Sequence, residues 1–199
     1  MSTETPAPPR AAKVLVSADD LRALVADVFQ ARGTRRPEAV AVADALVWAN
    51  LRGIDSHGVS RVPRYLELFD KGESVADALP TVDRPRAAIA IVDAHAAPGP
   101  VAMNRAADEA VEGARECGIG WASVRGTVHT GAIGYYTSQA AEAGMAAVGV
   151  VAGMPNMAYA GARGAAVATS PLSVAVPAGR CLMRNMGQKT SRYSAGARQ

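Results

Sequence analysis

The chain has 199 residues, 49 % apolar and 20 % charged, an ordinary globular composition with room for one full hydrophobic core or somewhat more. Its formal charge of +3 does not make it a nucleic-acid binder: five of the 21 Lys and Arg lie in the last 20 residues, which hold no acid, leaving 16 cations against 18 acids, a net −2, elsewhere. Scattered tail cations without interleaved aromatic platforms make a poor nucleic-acid footprint, and two cysteines, Cys117 and Cys181, cannot build a disulfide framework, which fits a reducing cytoplasm.

The opening "MSTETPAPPRAAK" is polar and Pro-rich with no apolar h-region, so residues 1–16 read as a disordered leader and not a signal peptide. Ser17 with Asp20 three positions on marks a helix start. Leu21, Leu24, Val25, Val28 and Phe29 then form an amphipathic stripe that ends at Gly33. A second helix begins near Pro37, runs through Val40, Ala43, Leu46, Val47 and Leu51, and stops at Gly53. A third, starting around Ser60, carries Val62, Leu66 and Phe69 and ends at Gly72. Residues 17–80 are therefore expected to be a helical amino-terminal unit.

From residue 81 to 179 the pattern changes to a partial α/β domain. Strand-like runs at 87–94, 119–126 and 145–153 alternate with helical patterns at 99–117 and 131–143, which predicts a layer with some parallel pairing. A further strand-like run lies at 166–176. Between Gly144 and Gly179 the only charge is Arg163, but Pro155, Asn156 and Pro171 break the stretch, so it offers no membrane span. Residues 180–199 show neither period. The abrupt switch after "SVAVPAG" suggests a frameshift or premature end, a hypothesis that re-reading the gene's other two frames would test.

Two loops carry candidate chemistry. In "RGIDSHGVSR" (52–61), Ser56, His57 and Gly58 precede the third helix, where unpaired N–H groups and the helix dipole favour an anion. Arg61 and Tyr65 share a helix face, so Arg61 can clamp a carboxylate while Tyr65 donates a hydrogen bond, and His57 can exchange a proton. The plainer alternative makes Ser56 a cap, His57 a surface turn residue and Arg61 a solvated cation. In "VRGTVHTGAIGYY" (124–136), His129 sits between a strand and a helix among Thr127, Thr130, Gly131 and Gly134, a place where α/β sheets gather ligands. A polar loop whose histidine merely caps the next helix is equally consistent with it. His95, in a loop before a helix, is expected to have no charged or hydroxyl partners around it and reads as structural, and Cys117 as a small buried apolar residue. The histidines and cysteines lack metal-ligand spacing, no G-x-x-x-x-G-K-[ST] loop occurs, and "GIGWAS" lacks the third glycine of a dinucleotide fingerprint.

Taken together, "LRGIDSHGVSRVPRYLELFDKG" (51–72), "VRGTVHTGAIGYYTSQAAEAGM" (124–145) and "GARGAAVATSPLSVAVPAG" (161–179) resemble the type-2 malate/L-lactate dehydrogenases, a family with ureidoglycolate, sulfolactate and diketogulonate relatives. The resemblance covers about residues 17–179, with 180–199 as a non-family basic tail. It implies a non-Rossmann mixed α/β domain, incomplete at the carboxyl end, that uses NAD or NADP to interconvert a small 2-hydroxy acid and its 2-oxo acid. It further implies a homodimer when complete; a cytoplasmic location, and no nucleic-acid, membrane or metal partner, are expected from the cysteines, charge, hydropathy and ligand spacing already described. The resemblance makes His57 and His129 candidates for acid/base catalysis, with His57 favoured as the donor. Ser56, Arg61 and Tyr65 would bind substrate, and Thr130, Gly153, Met154, Pro155, Thr169 and Ser170 would lie along the cofactor. The chain departs from the pattern at Gly153, where serine is common, at "ATSP" in place of Gly-Thr-Asn-Pro, and at Pro100, where glutamine is frequent. Because nearly half of a family chain is missing, the alternative is an inactive fragment that acts, if at all, as a partner of a full-length homologue.

Overall fold

A computed structural model describes residues 14–161, 163–177 and, as backbone, 182–186. Helix α1 (Ala18–Ala31) starts where Ser17 Oγ accepts the Asp20 N–H at 3.1 Å. Its stripe buries Val25 and Phe29 against Val42, Ala43 and Leu46 of α2 (Arg36–Leu51). Two short 3-10 turns, Asp55–His57 and Val59–Arg61, lead into α3 (Val62–Asp70), so the third helix proper begins two residues later than its pattern predicts. Phe29 is the centre of this unit. The Tyr65 and Phe69 rings stand edge-on to it, with centroids at 6.1 and 6.0 Å.

The α/β part holds two three-stranded sheets. In the first, β1 (Thr81–Arg86) pairs antiparallel with β2 (Ile89–Asp93), which pairs in parallel with β3 (Trp121–Arg125). The parallel link crosses over through α4 (Gly99–Cys117), the βαβ arrangement that parallel strands require. In the second, β4 (Ala147–Val150), β5 (Leu172–Val176) and β6 (Leu182–Met186) are antiparallel. Helix α5 (Gly134–Glu142) packs on β4 and β5, and a buried Thr137–Ser173 hydroxyl pair at 2.8 Å joins it to β5. Helices α4 and α5 also pack on each other. A mixed α/β domain behind a helical unit is thus the observed architecture.

Several details differ from the sequence expectation. Strand β1 was not anticipated, because Pro85 and the surrounding charges hide an edge strand. Its Arg84 reaches α4, where it and Arg105 pair with the buried Glu109. The run at 145–153 yields strand only over Ala147–Val150, and that at 166–176 only over Leu172–Val176. Backbone 182–186 is a strand although its side chains show no period. Cys117 is exposed and not buried, because it is the last residue of α4, on the solvent side of that turn. Residues 1–13 of the expected leader, Cys181 and residues 187–199 of the tail lie outside the described residues. No described helix is long and apolar enough to cross a membrane.

Candidate active site

The loop between β3 and α5 carries His129, and the turn between α2 and α3 carries His57. Their imidazoles face each other, with centroids 5.4 Å apart and ring planes at 30°. Position 129 is held from two sides. Gly99, at the start of α4, lies against its backbone: a Cβ there would sit 2.2 Å from the His129 carbonyl oxygen. From the helical unit, the buried Tyr65 brings its hydroxyl 2.9 Å from His129 Nδ1 and 3.0 Å from the same carbonyl.

The Gly131 contact favours one tautomer. The Gly131 N–H donates to His129 Nδ1 at 3.3 Å, so Nδ1 is an acceptor and the neutral ring carries its proton on Nε2. Burial pushes the His129 pKa down to about 4, aided by the nearby His57 and Arg61. The His57 pKa is lowered as well, by burial first and then by the Arg61 guanidinium. Burial raises the pKa of Tyr65 far beyond its usual value, with Arg61 opposing, so its hydroxyl stays neutral. Ser56 does not cap a helix; its Oγ lies 2.9 Å from His57 Nδ1. Arg61 donates through Nε to the Ser56 carbonyl at 2.5 Å, which ties the guanidinium to the turn it charges.

His57 and His129 open onto a cleft of about 1010 Å³ between β3 and β4, with α4 and α5 contributing to its wall. Thr130, Gly153, Met154 and Thr169 also line it. The segment after β4 runs antiparallel to the one before β5, with the Asn156 N–H donating to the Val167 carbonyl at 3.0 Å. A Cβ on Gly153 would lie 3.3 Å from Ala168 Cβ. Pro155, Ser170, Ser56, Arg61 and Tyr65 are not part of the cleft wall. The hydroxyl of Tyr65 is engaged by His129. Gly99 escaped the sequence reading: its only signal is a Gly-Pro pair at a helix start, which does not reveal what presses on it. His95, expected to lack charged or hydroxyl partners, has both: Thr81 Oγ1 at 2.8 Å and the Asp93 carboxylate.

Paired histidines beside an arginine, at an α/β cleft, make a candidate site for proton exchange on an anionic ligand. A family model described as malate/L-lactate dehydrogenase matches residues 16–186, and the chain belongs to that family. It is 35 % identical over 164 residues to malate dehydrogenase of Pyrococcus abyssi, covering 82 % of this chain and 45 % of that protein. To the ureidoglycolate dehydrogenase (NAD(+)) of Escherichia coli O157:H7 it is 31 % identical, covering 81 % and 46 %. The solved structure of malate dehydrogenase from Pyrococcus horikoshii OT3 superposes with a TM-score of 0.85 at 30 % identity, over 90 % of this chain and 52 % of that one. The chain therefore spans about half the length of the relatives it matches.

Proposed function

We propose that this chain carries the acid/base and substrate-orienting part of a nicotinamide-dependent dehydrogenase that interconverts a small 2-hydroxy acid, of malate or lactate type, and its 2-oxo acid. The observation that carries this reading is the facing His57–His129 pair, with Arg61 close enough to depress both imidazoles, on the wall of a cleft of ligand size. Arg61 attracts the substrate carboxylate. His129 donates a hydrogen bond from Nε2 to the substrate oxygen, and the Tyr65 hydroxyl, lying against both its Nδ1 and its carbonyl, holds the ring in place. His57, with Ser56 at its Nδ1, exchanges the proton of that oxygen.

NAD or NADP, when bound, supplies the hydride acceptor or donor. Thr130, Gly153, Met154 and Thr169 would hold it, with Pro155 and Ser170 beside them in the chain. The fit rests on a cleft large enough for a nucleotide and on Met154, an 83 % exposed residue that lines it. Two copies of the complete protein would pair as a homodimer.

The test is oxidation of NADH or NADPH in the presence of pyruvate, oxaloacetate or another 2-oxo acid. His57→Ala and His129→Ala are each expected to lower kcat/KM by about 10²–10⁴-fold. Full activity in both variants overturns the assignment. The uncovered face of β4 favours a second reading, an inactive fragment that associates with a full-length homologue. Absence of turnover together with co-elution with such a homologue would select it.

A further inference from the structure

The turn that carries His57 consists of two 3-10 segments of three residues each, joined at Gly58. Such short segments have little stability of their own. What spans them is the side chain of Asn50, in the last turn of α2 and half-buried. Its Oδ1 accepts the Val59 N–H at 2.8 Å, and its Nδ2 donates to Asp55 Oδ1 at 2.6 Å. The two anchor points bracket Ser56, His57 and Gly58. Because one bond needs an acceptor and the other a donor, the orientation of the amide is determined. The carbonyls at the end of α2 are met by backbone N–H groups of Arg52, Gly53 and Ile54, so the amide is not needed as a helix cap.

Gly58 gives the second, independent observation. Its φ of −91° is open to any residue, so conformational freedom is not why glycine stands there. Space is the reason: a Cβ at 58 would lie 2.2 Å from Asn50 Oδ1 and 2.5 Å from Cγ. Backbone and amide are in direct contact, and the turn is moulded on Asn50.

We infer that Asn50 is a positioning residue for the proposed reaction: its amide clasps Asp55 and Val59 and so fixes His57 opposite His129. That His57 exchanges a proton is taken from the function proposed above, whereas the clasp is testable without turnover. The chain has three histidines, so their ring signals can be assigned in the NMR spectrum of the full chain by single His→Gln substitutions. The wild type should show a cross-relaxation peak between the His57 and His129 rings, and a His57 titration below the ordinary imidazole range. The groups facing His57 in that titration are Arg61, His129 and, across the turn, Asp55.

Asn50→Ala is expected to abolish the cross-peak and move the His57 titration upward, leaving His95 unchanged. Asn50→Asp sets two carboxylates against each other and should do the same. The exchange Asn50→Asp/Asp55→Asn rebuilds both bonds, since a carboxylate at 50 accepts from Val59 N–H and from the new amide; it should restore cross-peak and titration. Gly58→Ala should disturb His57 alone but add little to Asn50→Ala. A cross-peak that survives Asn50→Ala, or an exchange variant no better than Asn50→Asp, overturns the inference. If Asn50→Ala fails to fold, the exchange variant decides. Where the wild type turns over, Asn50→Ala should lower kcat on the order of 10²-fold with a smaller change in KM. No wild-type turnover counts against the proposed function, and the clasp is then judged by the spectra alone.

Discussion

His129 is where removal from water and proximity to a guanidinium act in the same direction. Its ordinary pKa of 6.5 falls to about 4 on folding. Between those values the unfolded chain binds the proton and the folded chain does not, so stability present above pH 6.5 is lost as the pH falls, and the loss levels off below about 4. After solvent screening the loss from this residue is on the order of 2 kcal/mol. Tm measured from pH 7 to pH 4 should therefore fall less steeply in His129→Gln than in the wild type. Parallel acid limbs would show that the folded ring titrates normally. The residue types at this site could be read from the chain, since His57, Arg61 and His129 stand in Gly-rich turns where packing does not call for them. Their partners could not: Tyr65 meets His129 across 64 positions, and no local pattern encodes a hydroxyl aimed that far.

Helix α1 matters to the site although it contributes no polar group to it. Phe29 is fully buried, and the ring of Tyr65 rests edge-on against it. Phe29→Ala should cost about 3–5 kcal/mol, a lowering of Tm by roughly 10 °C, and should also loosen the Tyr65–His129 contact. Phe29→Leu, which keeps most of the volume, should cost less than about 1.5 kcal/mol. Thermal melts of both variants check this, and equal losses would mean that volume at position 29 is not what matters. The three amino-terminal helices were recoverable from sequence because their apolar residues recur at i, i+3 and i+4 and glycines end them. Strand β1 was not, because Asp83, Arg84, Pro85 and Arg86 look like a loop until Arg84 finds Glu109 on α4. Strand β6 was not either, since its pairing with β5 is made by the backbone.

For the molecule as a whole, the open side of the two sheets dominates. Among the described residues β3 pairs only with β2, and β4 only with β5, so both strands present a free edge along the cleft. On β4, Val148 and Val150 are 70 % and 62 % exposed. Free edges with apolar side chains favour intermolecular pairing. The double variant Val148→Lys/Val150→Lys should reduce self-association in light scattering while leaving Tm nearly unchanged, because exposed sites change stability by only about 0.5 kcal/mol. Unaltered scattering would place the sticky surface elsewhere. No sequence pattern reveals that both free edges border one cavity, a relation that depends on how α4 and α5 set the sheets side by side.

That cavity also gives the protein a built-in optical reporter. Of its two tryptophans, Trp48 is buried, with the Arg52 guanidinium 3.9 Å above its ring and Tyr135 edge-on beside it. Trp121 is 60 % exposed on the cleft wall. The two indoles therefore emit from different surroundings, one shielded and one wet. Acrylamide reaches the second and spares the first, so anything that fills the cleft is visible as protection of the red-edge emission, with the blue component as an internal standard and no label attached.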